Sequence, residues 1–267
     1  MLAYMVLAGR NGVPVEPNLL ARFDVDDPPC VPFRPAERIV WRNHDSSVIF
    51  FGWQAFTEVA GIGSHWAVDD RGLTAFSGHC WPHSTGWTHG TGESWAAQLR
   101  SYLRDKPDLQ AARESLFGNF TIVSLPAIGG GTIVPDWASL DQLFFSDSPS
   151  GSAISNRAGL CARFVTGNDA IPRRSLSAAG WLISKGSIAD QESSYWDVER
   201  PQTGSYIMIG FKGDASIREP HWSPLFPTAP ETSPPSYEEL LSEVEHDLRS
   251  TVRNIAALPT EDRVLLL

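Results

Sequence analysis

The densest set of chemically capable side chains lies between positions 65 and 89, where His65, His79, Cys80, His83 and His89 fall in one stretch. Imidazole and thiolate are the ordinary ligands of zinc, and a metal-assisted hydrolase is the chemistry such a set would serve. The His79, Cys80, His83 spacing matches no common zinc signature, however, and the reading adopted is that no metal is held. The three cysteines, Cys30, Cys80 and Cys161, form no CxxC pair, so neither a disulfide framework nor a redox pair is expected. Cys161 sits in an apolar segment and reads as a small core residue. Asp136 and Asp141 flank a turn and read as turn formers before acid–base groups. Gly129 to Gly131 is followed by no lysine and lies between two strand-like runs, so it reads as a hairpin turn and not a phosphate loop.

Trp81, Trp87 and Trp95 belong to the same Gly-rich region, and ten tryptophans in 267 residues admit two readings. They could present an aromatic surface to a peptide or partner, or fill the core of a β-rich domain.

Elements that could position these residues follow from pattern. Strands are expected at Tyr4 to Ala8, Ser47 to Gln54, Trp66 to Val68 and Leu73 to Phe76, the last two joined by a turn at Asp69 to Gly72. A helix is expected from Glu93 to Arg104, where Trp95, Leu99, Tyr102 and Leu103 recur at helical spacing. Further strands are expected at Phe120 to Leu125, Gly131 to Pro135, Leu143 to Ser146, Ser152 to Ser155 and Ser205 to Phe211, with a helix over Arg174 to Ser184. Ser223 to Pro235 is Pro-rich and reads as an extended connector. Beyond it Leu240, Leu241, Val244, Leu248, Val252 and Ile255 share one helix face, with Ser236 as N-cap and Glu238 and Glu239 in the first turn. RVLLL at the C-terminus reads as a buried parallel strand.

The formal charge of −10 with no Lys/Arg cluster argues against nucleic acid or an anionic membrane surface as partner. No apolar run reaches the length of a membrane span, and the opening MLAYMVLAGR lacks a secretory signal's form, so a cytoplasmic protein is expected.

The order of these segments resembles the N-terminal glutamine-amidotransferase-like domain of the asparagine synthetase family. The residues carrying the resemblance are Leu116 to Leu125, Asp136, Leu143 to Ser146, the Ser155-Asn156-Arg157 junction, the run from Ala189 to Phe211, and the Tyr237 helix followed by RVLLL. Within the family the chain looks most similar to lasso-peptide macrolactam cyclases, and next to β-lactam synthetases. The resemblance implies an α+β fold, an αββα sandwich of two antiparallel sheets of the N-terminal-nucleophile (Ntn) hydrolase type. It further implies an amidotransferase-like domain over 1–222, a connector over 223–235 and the start of a synthetase domain, of adenine-nucleotide α-hydrolase type, over 236–267.

Family members that use glutamine carry a nucleophilic cysteine at position 2, where this chain has Leu2. Their Asn-Gly-Glu pocket motif aligns with Ser77, Gly78 and His79, of which only the glycine is retained. The resemblance therefore implies a domain silent toward glutamine, with no catalytic residue of its own. ATP and magnesium would belong to the full-length parent and no cofactor to this chain; the partners would be a synthetase domain, in cis or in trans, and a peptide substrate. A free-standing, non-catalytic binding module is the alternative.

Overall fold

The computed structural model describes residues 2–26, 28, 30–55, 64–82, 93–104, 106, 109–167, 171–185, 192–219 and 236–256. Its centre is β1 (Leu2–Ala8), a run of seven residues buried on both faces. On one side β1 pairs with β3 (Val48–Ala55), which pairs in turn with the edge strand β2 (Pro35–Arg42); on the other it pairs with β9 (Gly151–Ser155), followed by β8 (Phe144–Ser148). Every pairing in this five-stranded sheet is antiparallel.

The second sheet has six strands in the order β11 (Ala215–Arg218), β10 (Tyr206–Ile209), β7 (Gly131–Pro135), β6 (Leu116–Pro126), β5 (Gly72–Pro82) and β4 (Trp66–Asp69). It too is antiparallel throughout.

Side-chain alternation explains how the layers stack. Leu2, Tyr4, Val6 and Ala8 of β1 pack with Leu73, Ala75, Val123, Leu125, Ile133 and Ile207 of the other sheet, forming a core between the two. The intervening Ala3, Met5 and Leu7 pack on the opposite face against Leu19, Leu20 and Phe23 of α1 (Pro17–Phe23) and Leu160 and Phe164 of α4 (Ala158–Thr166). The outer face of the second sheet, with Phe76, Phe120 and Ile122, takes Trp95, Ala96 and Leu99 of α2 (Trp95–Arg104). Alongside α2 lies the short α3 (Leu109–Glu114). The result is an α+β sandwich of helix, sheet, sheet and helix layers.

Of the expected elements, β1, β3 and β4 stand close to where their patterns put them, and the Asp69 to Gly72 turn closes β4 onto β5. The strand at Leu73 to Phe76 runs further, to Pro82. The expected 174–184 helix is α5 (Leu176–Lys185), and the last expected helix is α6 (Tyr237–Ala256). Ser236 caps it as expected: Glu239 N–H donates to Ser236 Oγ at 3.2 Å, and the Glu239 carboxylate accepts from Ser236 N–H at 2.7 Å. The 223–235 connector and the terminal RVLLL lie outside the described residues. No described helix is long and apolar enough to cross a membrane.

Candidate functional site

Because alternate β1 residues point between the sheets, Leu2 faces the interior at one end of the sandwich. That end is fastened from the β9–α4 junction. Asn156 Nδ2 donates to Leu2 O at 2.9 Å, Asn156 Oδ1 accepts from Tyr4 N–H at 3.1 Å, and the Ser155 hydroxyl donates to Tyr4 O. Leu2 stands opposite Gln54 of β3, whose side-chain oxygen accepts from His65 N–H at 2.9 Å. His65 thereby links the two sheets, its Nδ1 lying 3.1 Å from Phe76 O and its ring on the Phe76 ring.

Across the interior, Ser77 of β5 and Thr121 of β6 are register partners on the face that carries Ala75 and Val123. The carboxylate of Asp141 reaches between the sheets and accepts from the Ser77 hydroxyl, while Thr121 Oγ1 donates to Asp141 O at 3.3 Å. The fully buried Tyr4 phenol completes the cluster. Burial raises the Asp141 carboxyl pKa, against the lowering effect of the Ser77 and Thr121 hydrogen bonds and the Arg157 charge. Burial first, and the Asp141 charge second, push the Tyr4 hydroxyl well up. Ser77, Asp141 and Thr121 form a hydrogen-bonded plug, while the Tyr4 hydroxyl has no hydrogen-bond partner among the described residues.

Asp141 is therefore not the turn former that its position suggests. The turn is built by Asp136, whose carboxylate accepts from the amides of Phe120, Ala138, Leu140 and Asp141. The Ser77–Asp141 contact spans 64 residues and leaves no local signature.

Gly78 has φ +75, and a Cβ there would overlap Asn119 O; Gly118 has φ +119 and would meet His79 O in the same way. These glycines let β5 and β6 approach closely beside Ser77. His79 is exposed, while Cys80 is buried in the outer core beneath α2. Two successive strand residues on opposite faces cannot share one metal ion. His83 and His89 lie outside the described residues. Among the described residues no group of three or more His, Cys, Asp or Glu is placed to hold a metal.

Neither buried cysteine suits nucleophilic work. Burial raises both the Cys80 and the Cys161 thiols, and Cys161 Sγ points at Phe144 O and Ala153 O within the core. Of the three tryptophans, Trp95 is 2% exposed and packs in the outer core, Trp81 is half-buried against the same cluster, and Trp87 lies outside the described residues. Trp95 thus fills the core and offers no surface to a peptide. The Gly129 to Gly131 run closes the β6–β7 hairpin, and a Cβ at Gly130 would overlap Ile209 O.

His65 gives the site a pH signature. Burial lowers its pKa from 6.5 to about 4, so the folded protein holds it neutral. Its stabilising share is full above the unfolded value near 6.5 and is lost as pH falls toward 4. At about 1.4 kcal/mol per unit this is about 3 kcal/mol. Urea unfolding at pH 7 and pH 4 is expected to show that loss, and His65→Gln is expected to reduce it. An unchanged pH dependence in the variant contradicts the burial of this ring.

No family model matches the chain, and no curated protein does. Among solved structures, glutamine phosphoribosylpyrophosphate amidotransferase from B. subtilis, complexed with ADP and GMP, is similar at 8% identity with a TM-score of 0.43, over 82% of this chain and 49% of that one. A structure described as the allosteric regulatory enzyme of purine biosynthesis is similar at 9% identity with a TM-score of 0.44, over 80% of this chain and 48% of that one. The chain spans about half the length of each.

Proposed function

We propose that this chain is a glutamine-amidotransferase-like domain, silent toward glutamine, of an asparagine-synthetase-like ATP-dependent amide ligase that forms a macrolactam in a lasso-type peptide. The observation carrying the reading is the residue at the head of β1. An Ntn-type amidotransferase needs a nucleophile at the end of a central strand between two antiparallel sheets, and on this reading that place falls to Leu2, which faces the inter-sheet core and has no nucleophilic atom. The Ser77–Asp141–Thr121 plug between the sheets supports the reading of a closed pocket, and Cys80 and Cys161 are both buried in the core.

A domain without its own chemistry is useful to a ligase as a brace and as part of a substrate-binding surface. Helix α6 supports that role: Leu241, Val244, Leu248 and Val252 lie along one face and are each more than half exposed, a stripe that a synthetase domain, in cis or in trans, would cover. ATP is assigned to that domain. The Gly129 to Gly131 run does not fit a triphosphate, because it is packed against Ile209 and Phe211 with no lysine or helix following it. The attacking amine would come from the peptide itself, which removes any need for ammonia from glutamine.

The experiment is turnover of ATP to AMP and pyrophosphate by this chain together with its synthetase domain, in the presence of candidate precursor peptides. Peptide-dependent AMP release supports the ligase; none with any peptide favours a free-standing binding module.

A further inference from the structure

A cavity of about 250 Å³ lies where the turn that follows β7 meets the segment 200–205 that leads into β10. Its polar lining is Ser139, Gln142, Arg200, Gln202, Thr203 and Ser205, and no carboxylate lines it. The two nearby aspartates are occupied elsewhere, Asp136 by backbone amides and Asp141 by Ser77.

Two groups in the lining are unmatched. Ser205 is 1% exposed, and its hydroxyl has no hydrogen-bond partner among the described residues. A buried hydroxyl left in that state is unfavourable, and an acceptor entering the cavity would relieve it. Arg200 is half-buried and forms no ion pair among the described residues, in a chain with ten more acidic than basic side chains. The walls are held without a ligand: Gly204 N–H donates to Ser139 Oγ at 3.2 Å, Ser205 N–H to Gln202 O at 2.9 Å, and Arg113 Nη1 to Gly204 O at 2.7 Å. That makes the cavity preformed, with the Arg113 charge close behind it.

We infer that this cavity binds a carboxylate, paired with the Arg200 guanidinium and hydrogen-bonded by the Ser205 and Thr203 hydroxyls. A planar guanidinium matches a carboxylate through two parallel N–H···O bonds, and the hydroxyls can donate to the remaining lone pairs. No carboxylate in the lining opposes an incoming anion at contact distance. The carboxylate could arrive on a small free acid or on an acidic side chain of a peptide.

The test titrates ¹⁵N-labelled protein with glutarate in one arm and with acetyl-Gly-Glu-Gly-amide in the other, following the amides of Thr203, Gly204 and Ser205. Saturable shifts are expected in at least one arm, and the arm saturating at lower concentration identifies the source. Arg200→Gln is expected to weaken binding at least tenfold. Thr203→Asp, at an exposed position, is expected to do the same by placing a negative charge at the rim while leaving the thermal unfolding midpoint near that of the parent. The inference is overturned if neither arm saturates, or if both variants bind like the parent.

Discussion

Trp95→Ala is expected to lower stability by about 3–5 kcal/mol, the range for removing a large aromatic from a closed core. The indole lies among Phe76, Leu99, Leu116, Phe120 and Ile122, where α2 covers the outer face of the six-stranded sheet. Its removal leaves a void that a backbone pinned by the β5–β6 ladder cannot close. Urea unfolding measures the effect as a shift in midpoint at constant slope. A tryptophan that faced a partner would change stability by no more than about 0.5 kcal/mol when truncated, so the two readings of the Trp-rich region separate cleanly.

Gly78→Ala is expected to cost about 3 kcal/mol or more, although it adds a single methyl group. Two effects combine: a positive φ that L-residues rarely adopt, and a Cβ driven into the Asn119 carbonyl of the neighbouring strand. The ladder must open at Gly78 and Phe120, next to the Ser77–Thr121 pair that holds Asp141. Gly180→Ala is the matched control, since its Cβ would meet nothing within 4 Å and it lies inside α5, where alanine is the better helix former. Thermal unfolding of the two variants should move in opposite directions. Equal, small shifts would mean that β5 and β6 do not approach as closely as described.

Much of the architecture was legible because apolar runs and turn residues mark it directly. SVIFFGWQ and the run Tyr4 to Ala8 read as strands from their apolar and β-branched residues, and the stripe and cap of α6 follow from spacing alone. The strand β2 has no clear sequence signature, since PAERIVWR carries charge at an edge position, where solvent tolerates it. Helices α1 and α3 are seven and six residues long, too short for periodicity to declare them. The end of β5 was missed for a related reason: Ser77, Gly78 and His79 interrupt its apolar pattern, yet pairing with β6 carries the strand to Pro82.

The site was less legible than the fold. Family resemblance points to Leu2, Ser77, Gly78 and His79, of which Leu2 and Ser77 face the space between the sheets while His79 is exposed. Thr121, Tyr4 and Gln54 carry no such signal, and the roles of Asp141 and Asn156 are hidden in the sequence, because each is brought there by pairing or by hydrogen bonds across long stretches of chain. A half-buried aspartate such as Asp141 reads as an ordinary loop residue until the strand that receives it is known. The cavity at Arg200 was equally invisible, as its lining comes from two segments about sixty residues apart.

The proposed silence of the β1 end toward glutamine is tested most directly by the effect of glutamine on peptide-dependent AMP release, with glutamate followed in the same reaction. The expected result is AMP release unchanged from zero to saturating glutamine, with glutamate no higher than in buffer. AMP release that requires glutamine, or glutamate formed in proportion to protein, would show that this domain retains amidotransferase chemistry and would contradict the assignment.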